Sequence, residues 1–299
     1  MNLTRREFIR AAATAAGAAA LNAAGALSVK GDDRMFPAIN PVYLTGSTEG
    51  WPLAELAAAG YRGLELTPTC LDTIARWQPA AKKAGLRPLC VNALPDLWPY
   101  LTGSLSDAVE RNRRGTVERL LSTLSEMRKH DIPFLVVAPS RLAENYQAGD
   151  EARGLLIESL RELAAAGNTT ILLEAAPFRM FGSSSEIAAL VDEVGKPNVA
   201  AALDVGHAAL NNQDPAEAAK TLGARLRYVQ VHDADLSAGA PRLDRHLPFG
   251  QGSLKATDVK KAIGELPFAV GITPSADPVA AARAAIAWLA QSVTMSRIR

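Results

Sequence analysis

From residue 36 onward, short apolar runs alternate with helix-like segments, and this alternation restricts the fold more than any other feature. Some runs, such as Phe134-Leu135-Val136-Val137, contain no polar residue, as expected for parallel strands covered on both faces. Eight strand-and-helix units in a chain of this length predict a closed (β/α)₈ barrel, and no Gly-x-Gly-x-x-Gly follows the first run to indicate a dinucleotide site. The predicted strands are Pro41–Ser47, Gly63–Thr67, Arg87–Leu94, Phe134–Pro139, Thr170–Ala175, Val199–Val205, Arg227–His232 and Phe268–Thr273.

The first residues have the order of a twin-arginine export signal. Arg5 and Arg6 precede an uncharged, alanine-rich stretch from Ala11 to Ala26. This stretch is too short and too rich in alanine to anchor stably in about 30 Å of hydrocarbon, so no membrane anchor is expected. We predict a signal peptide and linker over residues 1–30, a single barrel domain over 36–295, and a periplasmic or secreted location. A soluble helix that happens to carry two arginines is the alternative.

Charge and cysteine content exclude several classes of protein. Lys and Arg number 32 against 31 Asp and Glu, without long runs of one sign, so nucleic acid and anionic membrane surfaces are not expected partners. Two cysteines cannot build a disulfide framework or a cysteine-rich zinc site. One bridge between Cys70 and Cys90 stays open, although Cys90 lies in an apolar run that is typical of a buried thiol. The sequence is compatible with a homo-oligomer and does not fix the oligomeric state.

In a barrel of this kind, functional residues lie at the C-terminal ends of the strands. Three consecutive predicted strands end with Glu174, Asp204 and His232. A carboxylate there is costly to bury unless a cation or hydrogen bonds compensate it. The set therefore predicts a site for a divalent metal ion, Mn²⁺, Co²⁺, Zn²⁺ or Mg²⁺. An ion pair with a neighbouring Arg or Lys is the alternative for Glu174.

Three further residues are candidates for contact with a substrate. His207 follows Asp204 by three residues, within reach of a substrate oxygen or a metal ligand, so we predict a catalytic role for it beside Glu174. Glu65 and His246 are predicted to bind substrate. The alternatives are a helix-terminal histidine bonded to a backbone carbonyl for His207, an ion pair for Glu65, and a turn-capping histidine for His246.

The motifs after strands five to seven, taken together, resemble one family. These are the Glu that closes strand five, Asp-x-Gly-His from Asp204, His-x-x-Asp from His232, and His-x-Pro-x-Gly-x-Gly from His246. Their order and spacing resemble the xylose isomerase-like barrels, which include sugar and sugar-phosphate isomerases, ketose epimerases, inosose dehydratases and barrel endonucleases of DNA repair. The resemblance covers most of the chain after the signal. It implies a metal-assisted enzyme that acts on a sugar or polyol.

One family residue is missing. The family closes strand eight with a second Glu, whereas here Thr273 or Pro274 stands at that place. In the epimerases the two glutamates exchange a proton on opposite faces of the substrate, so with Glu174 as the one evident base the resemblance implies isomerisation or β-elimination. Asp235, Asp277 or a water is a candidate replacement for the missing ligand.

Two other functions remain as alternatives. A catalytically impaired barrel that binds a carbohydrate or a partner is the main one, because the strand-eight Glu is absent. A repair endonuclease is the weaker one, because it needs a basic groove and a richer set of ligands than four histidines allow.

Overall fold

The apolar runs form a closed barrel of eight parallel strands in chain order, so the predicted (β/α)₈ fold is confirmed. The computed structural model describes residues 36–48, 50–93, 103–140, 149–177, 179–237 and 243–291. The first strand pairs with both the second and the eighth, which closes the barrel. The strands are β1 Pro37–Ile39, β2 Gly63–Leu66, β3 Arg87–Asn92, β4 Phe134–Val137, β5 Thr170–Glu174, β6 Val199–Asp204, β7 Leu226–Val231 and β8 Phe268–Val270.

Helices cover the outside of the barrel, and some of them begin at a residue whose side chain caps the first turn. Asp214 accepts hydrogen bonds from the backbone N–H groups of Ala216 and Glu217, and Ser183 forms a capping box with Glu186. The helices of the described residues are α1 Pro41–Thr45, α2 Leu53–Ala58, α3 Pro68–Leu71, α4 Ile74–Lys83, α5 Glu110–Lys129, α6 Gly149–Ala165, α7 Ser184–Val194, α8 Val205–Leu210, α9 Pro215–Leu222, α10 Ala256–Ile263 and α11 Pro278–Gln291.

The first strand differs from the prediction. Residues Pro41–Thr45, predicted as strand, form helix α1, and the strand is the shorter Pro37–Ile39 before it. Asn40 caps this helix by accepting a hydrogen bond from Tyr43 N, and Gly46 ends it with a left-handed φ of 69°. The prediction was wrong because a cap, a proline at the first helical turn and a C-terminal glycine together outweigh a short apolar run.

The inside of the barrel is filled by small and aromatic side chains. Phe134 and Tyr228 pack against each other with ring centroids 5.7 Å apart. Around them lie mostly small or aliphatic residues: Ala38, Leu89, Cys90, Val136, Leu172, Ala200, Ala202 and Ala269. Glu65 is the carboxyl group that reaches into this interior from β2, and it is 1% exposed. The barrel is therefore a packed core with a polar layer toward its C-terminal end.

Two predictions about the chain ends and cysteines can be placed. The predicted signal and linker, residues 1–30, lie outside the described residues. In the part that the structure describes, no helix is both long and apolar enough to span a bilayer. Cys70 and Cys90 are both free and buried, so no bridge joins them.

Candidate active site

The three predicted metal ligands meet at the C-terminal end of the barrel. Glu174, Asp204 and His232 are each exposed by 2% or less. Asp204 ends β6 and caps α8, since its Oδ1 accepts hydrogen bonds from the backbone N–H groups of Gly206 (2.8 Å) and His207 (3.0 Å). The same Oδ1 lies 2.9 Å from His232 Nε2. One carboxylate therefore fixes the helix start and contacts the neighbouring ligand.

His207 joins two carboxylates. Its Nδ1 lies 2.8 Å from Glu174 Oε1, and its Nε2 lies 3.0 Å from Asp244 Oδ2. The ring is thus engaged by side chains and not by a backbone carbonyl, the alternative considered above. Asp244 comes from the loop after β7 and was not among the predicted residues. It stands two residues before His246 but 37 positions after His207, so no local pattern marks the contact.

Backbone carbonyls orient the other two histidines. His232 Nδ1 lies 2.9 Å from the backbone oxygen of Asp233, and His246 Nδ1 lies 2.7 Å from that of Gly271. The two rings stack with centroids 3.9 Å apart. Histidines that bind metals commonly donate one ring N–H to such an oxygen, which leaves the other nitrogen for the ion. In both His232 and His246, Nδ1 lies at the backbone oxygen and Nε2 is the nitrogen left for an ion.

Buried atoms without partners test whether these residues fit a metal ion. Glu174 Oε2 and His232 Nε2 are both buried and have no hydrogen-bond partner in the described part of the chain. His232 Nε2 lies 2.9 Å from Asp204 Oδ1, but the two atoms do not have hydrogen-bond geometry. Ligand atoms that each lie about 2.0–2.2 Å from one cation can be separated by such a distance. The chemistry of these donors fits a divalent cation.

The candidate ligands form two overlapping groups. Glu174, Asp204 and His207 make one, and the other adds His232, Asp244 and His246 to His207. Among the described residues, neither group contains all three predicted ligands, because His207 stands between Glu174 and the histidine pair. The structure brings the predicted residues together but leaves the ligand set as a prediction.

Burial and neighbouring charges shift the acids in opposite directions. Burial raises the pKa of Glu174 to about 7, against the opposing effect of His207 and with a further increase from Asp204 and Glu65. Burial alone would also raise the pKa of Asp204, but the charges of His207 and His232 hold it well below its usual range. Two carboxyls with separated pKa values suit different tasks: Glu174 can exchange a proton near neutral pH, while Asp204 stays ionised.

The pKa values of two of the histidines are also shifted in opposite directions. Burial would lower the pKa of His207, yet Asp204, Asp244 and Glu174 raise it well above its ordinary value. The pKa of His246 is lowered by burial and by the charge of His232. His207 is therefore the imidazole that most readily carries a positive charge in the absence of a metal ion.

Gly206 explains why glycine stands inside the Asp-x-Gly-His motif. A Cβ at this position would lie 2.0 Å from His232 Cε1 and 2.5 Å from both ring nitrogens. No such approach is tolerated by real atoms, so any larger residue would displace the His232 ring. The motif therefore places the His232 ring against a backbone without a side chain.

The loop after β7 is held by the buried carboxylate of Asp233. Asp233 is fully buried, and its carboxylate accepts hydrogen bonds from the backbone N–H groups of Ala234, Gly250, Gly252 and Leu254, each at 2.9 Å. Asp235 is half-buried, and its carboxylate accepts hydrogen bonds from the backbone N–H and the hydroxyl of Ser237. The Gly-x-Gly motif thus wraps around a buried carboxylate, and the suggestion that Asp235 replaces the missing ligand was wrong.

The exit of β8 has no carboxylate aimed at the site in the described residues. Asp277 is exposed and accepts a hydrogen bond from Ala280 N at the start of α11, so it does not replace the missing Glu either. Instead, the loop carrying His246 docks here, because Thr273 N donates to His246 O (2.8 Å) beside the Gly271 contact. His246 has a left-handed φ of 47°, which is strained for a residue with a side chain.

Glu65 lies one layer below the site. Its Oε1 accepts from Asn40 Nδ2 (3.1 Å) and Gln230 Nε2 (3.1 Å), and its Oε2 accepts from Tyr228 Oη (2.9 Å). We call Asn40, Glu65, Tyr228 and Gln230 the Glu65 cluster. These partners are neutral, which contradicts the ion-pair alternative, and a substrate would have to break these bonds to reach the carboxylate. The predicted substrate contact of Glu65 stays untested.

Comparison with known proteins identifies the family to which this chain belongs. The family model described as xylose isomerase-like TIM barrel matches residues 53–292. The chain belongs to this family. A search of curated proteins found no match.

Solved structures share the fold at low identity. D-psicose 3-epimerase from Clostridium cellulolyticum H10, determined with D-tagatose, superposes with a TM-score of 0.71 at 17% identity, covering 86% of this chain and 99% of that one. 3-Keto-D-glucoside 4-epimerase from E. coli gives 0.68 at 18% identity, with 86% and 100% covered. The IolI protein with a bound zinc atom gives 0.71 at 16% identity, with 87% and 99% covered. These likenesses establish the fold.

Proposed function

We propose that this chain is a metal-assisted enzyme that removes a proton next to the carbonyl of a keto-sugar, leading to isomerisation or β-elimination. The observation that carries the proposal is the buried set of Glu174, Asp204 and His232, two atoms of which have no hydrogen-bond partner within the described residues. The sugar epimerases of the same fold support the choice of a small sugar or polyol as substrate.

Glu174 is the proposed base. Its pKa of about 7 lets the carboxylate accept a proton and return it near neutral pH. His207 holds Oε1, which leaves Oε2 for the substrate proton while the C–H electron pair moves toward the carbonyl as an enediolate. Glu174, Asp204 and His232 would hold the cation. When bound, a divalent cation supplies positive charge that polarises the carbonyl and stabilises the developing negative charge.

Metal analysis tests the site. Protein purified without chelator is compared with the triple variant Glu174→Gln, Asp204→Asn, His232→Gln, after incubation of both with Mn²⁺, Co²⁺ or Zn²⁺. We expect near-stoichiometric metal in the parent and none in the variant. A folded parent that holds no metal would contradict the proposal.

Proton exchange tests the chemistry. D-tagatose, D-fructose and D-allulose are incubated with the metal-loaded protein in D₂O, and deuterium incorporation is followed by NMR. We expect Glu174→Gln to lose at least about 100-fold of the exchange rate, the usual contribution of a general base. Glu158→Gln is the matched control, because Glu158 lies exposed on α6 away from the barrel end. Equal exchange by both variants would remove Glu174 from the role of base.

A carbohydrate-binding barrel without catalysis is the second candidate. The observation that favours it is the exit of β8, where residues 271–276 contain no carboxylate and Asp277 caps α11. This candidate expects calorimetric binding of one of the three ketoses without deuterium exchange, whereas the enzyme expects both.

We also propose export by the twin-arginine route, on the basis of Arg5, Arg6 and the alanine-rich stretch that follows. This route carries folded proteins, which suits a chain that takes up a metal ion before it leaves the cytoplasm.

A further inference from the structure

The buried polar residues of the barrel carry more negative than positive charge. Four carboxyl side chains are exposed by 2% or less: Glu65, Glu174, Asp204 and Asp233. Among the described residues, the ionisable groups of opposite sign at that burial are His207 and His232, and no Lys or Arg joins them. Backbone N–H groups satisfy Asp233, while Glu174 and Asp204 contact the histidines. Glu65 is the carboxyl left without a cationic neighbour.

A neutral hydrogen-bonding side chain of the same shape would cost less to bury at this position than the carboxylate of Glu65. The surrounding interior is built from residues such as Ala38, Leu89 and Val136. Burying a carboxylate among neutral donors costs free energy that a neutral amide, which still accepts hydrogen bonds from such donors, largely avoids. The three hydrogen bonds reduce this cost but bring no positive charge.

Two of its members connect the Glu65 cluster to the candidate ligands. Gln230 is paired in register with Asp204 and precedes His232 by two residues on β7, so both side chains point to the same face. On the other side, Asn40 also caps α1 and places Tyr43, whose ring lies 4.6 Å from that of His246. The negative charge of Glu65 also contributes, after burial, to the raised pKa of Glu174.

We propose that Glu65 increases the affinity of the site for a divalent cation by supplying an uncompensated negative charge one layer below it, without being a ligand. The cation then provides the positive charge that Glu65 lacks. The inference rests on the proposed metal site and adds a residue that strengthens binding from a distance.

The substitution Glu65→Gln tests this because it should raise the stability of the metal-free protein and lower the affinity for metal. The amide keeps the size and most of the hydrogen bonds but removes the charge. At a pH above neutrality, we expect the metal-free variant to melt about 2–4 °C higher than the metal-free parent, and to bind Zn²⁺ or Mn²⁺ about tenfold or more weakly. A merely structural role for Glu65 predicts a lower melting temperature without metal.

The controls separate charge from geometry. Glu55→Gln removes an exposed carboxylate from α2 and should leave affinity and melting temperature unchanged. Glu65→Asp keeps the charge and should retain more of the affinity than Glu65→Gln. The absorption spectrum of bound Co²⁺ should be the same in parent and Glu65→Gln, since the ligands stay in place.

The outcomes are distinct from those of the proposed function. Equal affinity of parent and Glu65→Gln, a changed Co²⁺ spectrum, or a variant that melts lower or fails to fold without metal would overturn the role of Glu65 and leave the metal site standing. A parent that binds no metal would overturn the proposed function and this inference with it.

Discussion

A buried carboxyl with neutral partners changes how the stability of the protein depends on pH, and Glu65 is such a group. Burial raises the pKa of Glu65 above its ordinary 4.5, so the folded chain holds the proton more tightly than the unfolded chain. The stability that this proton contributes is fully present below pH 4.5 and is lost as the pH rises through the folded pKa.

We therefore expect the metal-free parent to lose stability relative to Glu65→Gln as the pH rises above 4.5. Urea denaturation of both proteins at a series of pH values measures the difference, and the other titrating groups largely cancel because both chains share them. A difference that stays constant with pH would mean that Glu65 titrates alike in the folded and unfolded chains.

The contact between Gly206 and His232 gives a second expectation for single residues. In Gly206→Ala, the added methyl group must push the His232 ring aside, which we expect to destabilise the metal-free protein by about 1–3 kcal/mol and to weaken Zn²⁺ binding. Gly154→Ala is the control, because Gly154 lies in α6 with open space at its Cβ position and should gain about 0.5–1 kcal/mol. Chemical denaturation and a Zn²⁺ titration of each variant decide the matter.

Among the elements, the loop after β7 has four backbone N–H groups bonded to one side chain. Asp233 Oδ1 accepts hydrogen bonds from Ala234 N and Leu254 N, and Oδ2 accepts from Gly250 N and Gly252 N. This loop carries Asp244 and His246, so the arrangement of half the site depends on a residue that touches neither.

Asp233→Asn should therefore disturb the loop and the site together. The amide nitrogen cannot accept hydrogen bonds, so two backbone N–H groups lose their acceptor, and we expect a loss of about 2–4 kcal/mol in the free energy of unfolding. Asp235→Asn, at a half-buried position two residues away, should change it by less than about 0.5 kcal/mol. Similar losses in both variants would show that the loop is held by other contacts.

The sequence predicted most elements because parallel strands leave a strong pattern. The continuous apolar runs of β4 and β5 lie where expected, and Glu174, Asp204 and His232 could be read off strand ends. The three residues of β1 are too few to show a period, and the cap at Asn40 was not recognised.

Loop residues were harder to predict than strand ends. Asp244 reaches His207 because its loop docks on the exit of β8, and no local pattern records a contact between residues 37 positions apart. Asp233 and Asp235 stand two positions apart in the same motif. Only the path of the backbone decides which of them is fully buried.

At the scale of the whole molecule, the family match covers residues 53–292, and the predicted export signal lies before it. We expect the protein to be found in the periplasm after cleavage near Ala24–Ala26, which cell fractionation and N-terminal sequencing measure. Arg5→Lys with Arg6→Lys should hold the chain in the cytoplasm, whereas Arg10→Lys should not. Periplasmic recovery of the double variant would contradict the export proposal.

The backbone conformation of His246 is unfavourable for stability, whereas its side chain contributes contacts to the site. Glycine adopts a left-handed φ at no steric cost, so selection for a firm fold alone would favour glycine at this position by about 1 kcal/mol. Selection for the site favours the imidazole that stacks on His232 and bonds to Gly271. A library screened only for thermal resistance should therefore become enriched in His246→Gly, and one screened for metal retention should keep histidine. Position 246 would then report, from the surviving codons alone, which pressure a population had experienced.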